Sequence, residues 1–448
     1  MKTRRRRRRR ITAKFVIILV LFIIALTLGI LVLSNSGSDN DNVVPGETQK
    51  PGLIDSIFSK TPEPTETPEP EPTETPEPTP TPLPEFSPYA IEGTRPSDFG
   101  METAIEVNGE IVSSYQREQT IDFGEGRDYT QLEGIITFRG NNFRDNPAYG
   151  TATIVEKTLD DANAWIVNTG SVPKVYGSGA WTGSGWTGQP LIVRWPEETK
   201  RIMNLYDSAK NKTDLVEVIY ATMDGHIYFL DLDTGERTRD PINMGRYPFK
   251  GAGALDPRGY PLMYLGSGDD SKDDGEGSSH ASIISLIDGK VLYEFGSKDS
   301  FSLRGKLSYF DSSALVDAET DTLIYPGENG ILYMIKLNTN YDVNAGTISV
   351  APEVVKWRYK GSRNNSTATV DGSKGWWFGM EDSAIIWRGH LIVSDNGGHM
   401  MCINLNTLEL VWVQDVLDDT NCTAVLELEN GHPYVYCSTS FHGGWRAD

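Results

Sequence analysis

The fold of this 448-residue chain is decided by the stretch Asp224-Gly225-His226-Ile227-Tyr228-Phe229-Leu230-Asp231-Leu232-Asp233-Thr234-Gly235-Glu236. Its middle is a run of apolar, β-branched and aromatic residues, which is typical of a β-strand. The run begins after Asp-Gly and ends in Asp-x-Asp-Thr-Gly, and both sequences favour tight turns. The stretch therefore predicts one strand held between two turns.

The same pattern returns three times in degraded form, over residues 282–293, 329–339 and 397–412. The copies align on four leucines that are 54, 51 and 68 residues apart, namely Leu232, Leu286, Leu337 and Leu405. Short strands within a repeat of roughly 50 residues predict an all-β fold, the β-propeller. A blade is a small sheet with two apolar faces that neighbouring blades must cover. We therefore expect the four leucines to be buried between blades.

Other segments fit the same fold. Apolar, β-branched or aromatic runs predict strands at 190–193, 216–221, 261–265, 322–325, 384–387 and 390–393. Turn sequences such as Asn329-Gly330 and Asn430-Gly431 separate the strands. Only Glu197 to Ala209 has the composition of a short helix.

The repeat resembles that of the quinoprotein-like (PQQ-like) β-propeller family, and more loosely WD40-like repeats. The family pattern joins Asp-Gly, an apolar strand with Tyr, Leu-Asp-x-x-Thr-Gly-Glu, and then an apolar residue and Trp. Residues 224–236 match most of it, Trp357 and Trp412 stand at the Trp position, and Tyr293 replaces Trp in the second copy. The resemblance covers roughly residues 134–448. It implies the fold, but no activity, because propellers host many functions.

Two segments before the first repeat also look like parts of this family. Phe138 to Pro147 resembles the lead-in that precedes the first blade. Trp165 to Gly170 looks like an outer strand that the N-terminal part gives to the last blade. The fifth repeat runs from Cys422 to Tyr436, and the sequence stops in mid-blade. We therefore expect four blades and part of a fifth in an open arc, and a C-terminally truncated protein whose complete form carries further repeats.

The N-terminal part of the chain predicts a membrane anchor. Residues 1–14 form a basic tail, and residues 15–33 are nineteen uncharged, mostly aliphatic residues. Nineteen residues at about 1.5 Å each cross roughly 30 Å of hydrocarbon. The arginines Arg4 to Arg10 place the N-terminus in the cytoplasm and the remaining chain outside the cell. A cleaved signal peptide is the alternative, although no Ala-x-Ala site follows Leu33.

A stalk and an acidic head follow the predicted anchor. Residues 34–86 are polar, and Thr61 to Pro84 consists of Thr, Pro and Glu in all but one position. Such a segment predicts an extended polyproline II spacer of about 75 Å between the membrane and a head at 87–448. The whole chain carries a net charge of −21 although its first 34 residues hold nine basic and no acidic side chains. The acidic remainder argues against a nucleic-acid partner.

Little in the sequence points to a cofactor. PQQ-dependent dehydrogenases of the family resemble one another in a pair of adjacent cysteines, and the three cysteines here, Cys402, Cys422 and Cys437, are not adjacent. We therefore predict no cofactor, with PQQ and Ca²⁺ disfavoured but left open. Cys422 and Cys437 either face each other across one hairpin or are free thiols.

Three groups of residues in the sequence are candidates for a binding site. The acidic loop with Asp269, Asp270, Asp273, Asp274 and Glu276 lacks the EF-hand spacing, which favours a solvated loop over a Ca²⁺ site. The six histidines are scattered, without a zinc motif. Trp376 and Trp377 form an aromatic pair within Gly-Trp-Trp-Phe-Gly, a weak candidate for binding a sugar or a peptide. Packing against a neighbouring blade is the alternative for this pair.

The sequence therefore leaves two functions open. The favoured one is a non-enzymatic binding or scaffold module outside the cell, with a protein or cell-envelope ligand. No catalytic residue or metal ligand set is predicted for it. The alternative is an extracellular PQQ-dependent oxidoreductase, or another enzyme that uses the channel at the centre of the propeller.

Overall fold

The computed structural model describes residues 86–158, 164–174, 178–185, 188–268, 279–304, 309–361 and 379–439. They belong to one unit of the chain, Pro80–Asp448. The predicted anchor at 15–33 and the stalk up to residue 85 lie outside the described residues. Among the described residues, no helix is long and apolar enough to span a bilayer.

The elements before the first repeat are short. A 3-10 turn at Pro96–Phe99 precedes a hairpin of β1 (Glu102–Val107) and β2 (Glu110–Val112), and a second 3-10 turn occupies Gly126–Asp128. Strand β3 (Gly134–Ile135) follows, and then the hairpin of β4 (Ser171–Pro173) and β5 (Ala180–Thr182).

Four antiparallel sheets form the blades. Blade 1 has the strand order β3-β6-β7-β8-β9. Its later strands are β6 (Leu191–Val193), β7 (Glu217–Ala221), β8 (His226–Asp231) and β9 (Ile242–Asn243). Two short helices, α1 (Glu197–Ile202) and α2 (Asp207–Asn211), connect β6 to β7. Blade 2 consists in order of β10 (Ala254–Leu255), β11 (Leu262–Gly266), β12 (Ala281–Ser285) and β13 (Val291–Phe295).

Blade 3 is the widest sheet, with the order β14-β15-β16-β19-β1-β2. Its strands are β14 (Leu315–Asp317), β15 (Thr322–Pro326), β16 (Ile331–Lys336) and β19 (Glu353–Lys360), and the hairpin of β17 (Asn340–Asp342) and β18 (Thr347–Ser349) lies between the last two. Blade 4 contains β20 (Ile385–Trp387), β21 (His390–Ser394), β22 (His399–Asn404) and β23 (Leu410–Asp415). A two-stranded sheet follows, formed by β24 (Val425–Glu429) and β25 (His432–Tyr436). The predicted arrangement of four blades and part of a fifth is confirmed.

The opening stretch folds as its residues predict. Strand β8 is buried on both faces from Ile227 to Asp231. At its start, Gly225 has a φ of +76°, and the Asp224 carboxylate accepts hydrogen bonds from the Tyr228 hydroxyl (2.7 Å) and the His226 amide (3.2 Å). The Asp-Gly pair therefore fixes the turn: glycine tolerates the left-handed conformation, and the aspartate satisfies nearby donors.

Apolar clusters lie between consecutive sheets and hold them in series. One joins blades 1 and 2, one joins blades 2 and 3, one joins blades 3 and 4, and the fourth joins blade 4 to β24. Leu286, Leu337 and Leu405 are fully buried, each in the cluster that its blade shares with the preceding blade. The prediction that Leu232 is buried in the same way is wrong, since this residue is only half-buried. Within the described residues no blade precedes blade 1 on that side.

This difference predicts unequal effects of two equivalent substitutions. We expect Leu337→Ala to lower the free energy of unfolding by about 2–5 kcal/mol, because it opens a cavity between blades 2 and 3. Leu232→Ala should cost about 1 kcal/mol or less, because the side chain is already partly hydrated. Denaturant unfolding followed by circular dichroism measures both values. Equal losses would show that the two leucines are in equivalent environments.

The predicted strand donation to the last blade is also wrong. Trp165 to Gly170 is not a strand, and it lies beside β8 of blade 1. The Trp165 indole Nε1 donates to the Leu232 carbonyl at 2.9 Å, and the Gly170 amide donates to the Asp224 carboxylate at 2.6 Å. The indole packs directly over Gly235, where a Cβ would come within 2.5 Å of the ring. The Thr-Gly turn of blade 1 therefore receives this tryptophan.

Candidate functional site

The centre of the arrangement is occupied by the chain itself. Residues 134–143 run past the inner side of the four blades and of the β24–β25 sheet, and bond to each of them in turn. Gly134 and Ile135 pair with β6, the Ile136 carbonyl accepts from Leu255 (2.7 Å), and the Thr137 hydroxyl donates to the Ala314 carbonyl (2.8 Å). The carbonyls of Asn142 and Phe143 accept from Ile386 and Leu426, each at 3.0 Å. We call residues 134–145 the central segment.

Arg144 anchors the central segment to blades 3 and 4. Its guanidinium is fully buried and donates to the carbonyls of Ala384 (2.9 Å), Phe138 (2.8 Å) and Ser313 (3.0 Å). Burial lowers the pKa of Arg144 to about 10, so the group is charged at neutral pH. The segment that resembles a family lead-in is thus also a buried connection along the inner side of the blades.

A large groove lies between the outer parts of blades 2 and 3. It encloses about 1090 Å³. Its walls are β13, β19, the β1–β2 hairpin and the connection from blade 1 to blade 2, and its lining includes Tyr247, Tyr293, Phe295 and Tyr333. We call it the blade 2–3 groove. Aromatic faces among polar groups are typical of surfaces that bind peptides or sugars.

The charged residues of this groove hold each other. The Lys356 ammonium lies 2.7 Å from Glu106 and 2.9 Å from Asp299, and Asp299 also accepts from the Tyr333 hydroxyl at 3.0 Å. Burial alone would lower the pKa of Lys356, but the bonds to the two carboxylates raise it. Lys356, Glu106 and Asp299 are held by one another, which suits a structured binding wall rather than acid–base chemistry.

One edge of the groove is an open sheet edge. Blade 3 is extended outward by β1 and β2, and in blade 4 the Val413 amide of β23 donates to the Thr94 carbonyl at 2.8 Å. Strand β13 is the outermost strand of blade 2, and no described residue pairs with its outer side as a strand. Glu294 on this strand is exposed, and Tyr293 is half-buried.

A second polar cluster lies where the turns of blades 3 and 4 meet. Oxygens of Asp311, Glu328 and Glu381 all lie within 4.8 Å of one another. Lys250 Nζ is 2.7 Å from Asp311 Oδ2, and Arg304 Nη2 is 2.9 Å from Glu328 Oε1. Burial, and then the charge of Glu381, raise the pKa of Glu328 well above its usual range. We call these three carboxyl groups the carboxylate cluster.

Two of the candidate sites taken from the sequence lie outside the described residues, so their proposed roles stay predictions. They are the aromatic pair Trp376 and Trp377, and the acidic loop with Asp269, Asp270, Asp273, Asp274 and Glu276. The groove and the carboxylate cluster were missed. Their residues come from separate turns and strands, and no local motif in the sequence joins them.

The histidines and cysteines do not assemble into a site among the described residues. His399 is fully buried, and its Nδ1 lies 2.9 Å from the Asp395 carboxylate, which fits a structural role in blade 4. Cys422 and Cys437 are free thiols, and so is the buried Cys402, whose pKa burial raises to about 12. The sequence left open whether Cys422 and Cys437 form a disulfide or are free thiols, and in the structure they are free.

Comparisons with known proteins return only distant structural likeness. No family model matches the chain, and no curated protein matches it. Among solved structures, BamB from Moraxella catarrhalis is 9% identical with a TM-score of 0.29, and covers 48% of this chain and 52% of its own. Sqt1 from Saccharomyces cerevisiae is 13% identical with a TM-score of 0.34, and covers 51% and 54%.

The quinohemoprotein alcohol dehydrogenase ADHIIG from Pseudomonas putida HK5 is 11% identical with a TM-score of 0.33, and covers 67% of this chain and 51% of its own. The chain thus spans about half the length of these structures. The four sheets themselves establish the propeller arrangement that the repeats predict.

Proposed function

We propose that the protein is a non-enzymatic binding module, displayed outside the cell on a membrane anchor, that takes an extended segment of a partner protein into the blade 2–3 groove. The observation that carries the proposal is the open outer edge of β13 beside this groove. The extracellular location rests on the basic tail and the apolar stretch at 15–33.

The chain itself supplies the precedent for such binding. In the neighbouring blade, β1 pairs with β19 in antiparallel register over six residues, from Glu102↔Lys360 to Val107↔Val355. A segment distant in sequence therefore adds to the outer edge of a blade. Backbone hydrogen bonds give affinity in this mode, and side-chain pockets give specificity. The half-buried Tyr293 is the aromatic side chain of the groove that a strand beside β13 would contact.

The occupied centre also supports binding over catalysis. Residues 134–145 bond to the four blades and to the β24–β25 sheet, and most of these residues are buried. The enzymatic alternative, a PQQ-dependent oxidoreductase or another enzyme that uses the centre of the propeller, needs that space, and no observation on the described residues favours it.

The length of β13 sets the length of the partner segment. A single strand of the partner, about five residues long, would match the five residues of β13.

The test is site-specific photocrosslinking in intact producing cells. A benzophenone side chain at position 294 should form an adduct with one partner protein, whereas the same group at the exposed Glu409 of blade 4 should not. An adduct at both positions, or at neither, contradicts the proposal. An adduct of twice the mass of the chain would identify a second copy instead of a different partner.

Proline variants sharpen this test. Successive amides of a strand point to opposite sides, so one of Tyr293→Pro and Glu294→Pro removes an outward N–H, and the other breaks a bond to β12. For these variants the benzophenone is placed at the exposed Val291 instead of position 294. We expect one variant to keep its melting temperature and lose the adduct formed from position 291. Glu110→Pro, on the exposed edge strand β2, is the matched control and should retain the adduct. If Tyr293→Pro and Glu294→Pro both fold and both still form the adduct, strand addition to β13 is refuted.

A further inference from the structure

Among the described residues, the carboxylate cluster has more acidic than basic side chains. Three carboxyl groups, from Asp311, Glu328 and Glu381, face two cations, Lys250 and Arg304. Lys250 is bound to Asp311 and Arg304 to Glu328, and no described cation lies within ion-pair distance of Glu381. Removing charge from water without compensation is costly, so a buried group of this kind requires a further positive partner or a proton.

Glu328 supplies a second observation at this cluster. Its side chain is 1% exposed, and its Oε1 is held by Arg304 at 2.9 Å. Its Oε2 is buried and has no hydrogen-bond donor among the described residues, although the Glu328 and Glu381 carboxyl groups are close enough to share a hydrogen bond when one of them is protonated. The unsatisfied atom belongs to the carboxyl group at the centre of the cluster, where buried oxygens are normally satisfied.

We propose that Asp311, Glu328 and Glu381 bind one Ca²⁺ ion between blades 3 and 4. Carboxylate oxygens bind Ca²⁺ at about 2.3–2.6 Å, so oxygens up to roughly 5 Å apart reach a common ion. The separations of up to 4.8 Å meet this condition. Glu381 is half-buried, which leaves one side of the ion for water, as the six to eight ligands of Ca²⁺ require.

The position gives the ion a structural task. Asp311 precedes β14 of blade 3, Glu328 lies in the turn between β15 and β16, and Glu381 precedes β20 of blade 4. An ion held by all three would tie the turns of two blades together. Bound ligand stabilises the native state by mass action, so Ca²⁺ should raise the melting temperature.

Titration calorimetry of the full-length chain with CaCl₂ tests the proposal. We expect binding at one ion per chain, and at least tenfold weaker binding in Glu328→Gln and Glu381→Gln. Glu319→Gln, an exposed substitution in the same blade, should bind as the unchanged protein does. Melting curves with and without CaCl₂ should show the same order of the variants. Glu328 is buried, and Glu328→Gln could prevent folding. Glu381 is only half-buried, so Glu381→Gln should still fold and gives the test its result in that case.

Two results would overturn the site. The first is no binding and no change in melting temperature at millimolar CaCl₂. The second is binding that persists in Glu381→Gln and folded Glu328→Gln but disappears when Asp270 and Asp273 are changed to Asn, which would place the ion in the acidic loop. If the unchanged protein binds no Ca²⁺ and the Glu328→Gln variant melts at a higher temperature than it does, the cluster holds a proton instead of an ion. The crosslinking result at β13 is independent of all these outcomes.

Discussion

Arg144→Leu should lower the free energy of unfolding by roughly 3–5 kcal/mol. The substitution removes the donors to Phe138, Ser313 and Ala384 and leaves three carbonyls in a dry interior. Each buried group left unsatisfied costs about 1–3 kcal/mol. The loss falls on a side chain that bonds to blade 3 and blade 4 at the same time. Thermal unfolding followed by circular dichroism should show a decrease in melting temperature of about 5–10 °C.

Arg139→Leu is the matched control for this prediction. Arg139 and Arg144 both have positive φ, +55° and +60°, so replacing either with leucine places the same side chain in a similar backbone conformation. Arg139 is only half-buried, and the Arg139 Nε donates to the Arg144 carbonyl at 2.6 Å. We expect a loss of about 1 kcal/mol for this single bond. Similar losses in both variants would mean that Arg144 does not link the blades.

Local patterns predicted the strands because each strand carries its own signal. Residues 216–221 and 224–236 are apolar runs between turn sequences, and they form β7 and β8. The short helix near 197–209 was visible in the same way and is present as α1 and α2. These elements depend on side chains near each other in sequence, so the sequence alone was sufficient for them.

Features made by distant residues were not predictable in this way. The central segment bonds to Leu255, Ala314, Ile386 and Leu426, which follow it by more than a hundred residues. No period in the sequence reports such contacts. Leu232 illustrates the same limit: its position in the repeat is that of Leu337, but burial depends on a neighbouring blade that the repeat pattern does not encode.

The candidate sites follow the same rule. Asp311, Glu328 and Glu381 come from three separate turns, and each looks like an ordinary polar loop residue in the sequence. The blade 2–3 groove depends on which outer edges the N-terminal strands cover, and the β1–β19 pairing joins residues about 250 positions apart. The aromatic pair at Trp376 and Trp377 was visible as a motif, but its role stays a prediction.

Trypsin added to intact cells should remove the whole head from the protein and leave a membrane-bound fragment. In the predicted topology, which rests on the basic tail and the uncharged stretch at 15–33, residue 34 and everything after it lie outside the cell. Thr61 to Pro84 contains no lysine or arginine, and Lys60 directly precedes it, so cleavage in the stalk is expected after Lys60. An epitope added to the N-terminus should then appear on a fragment that ends near residue 60.

The same experiment separates the anchor from its alternative. If residues 15–33 were part of a cleaved signal peptide, the head would be released without trypsin, and the epitope-tagged fragment would end near residue 33 before any treatment. A head that trypsin reaches only after the cells are lysed would contradict an extracellular location. An uncleaved anchor with the head outside requires both results at once: retention with the cells before trypsin, and loss of the head after it. Permeabilised cells provide the control. There, trypsin should reach the predicted cytoplasmic tail, cut after its arginines and remove the N-terminal epitope.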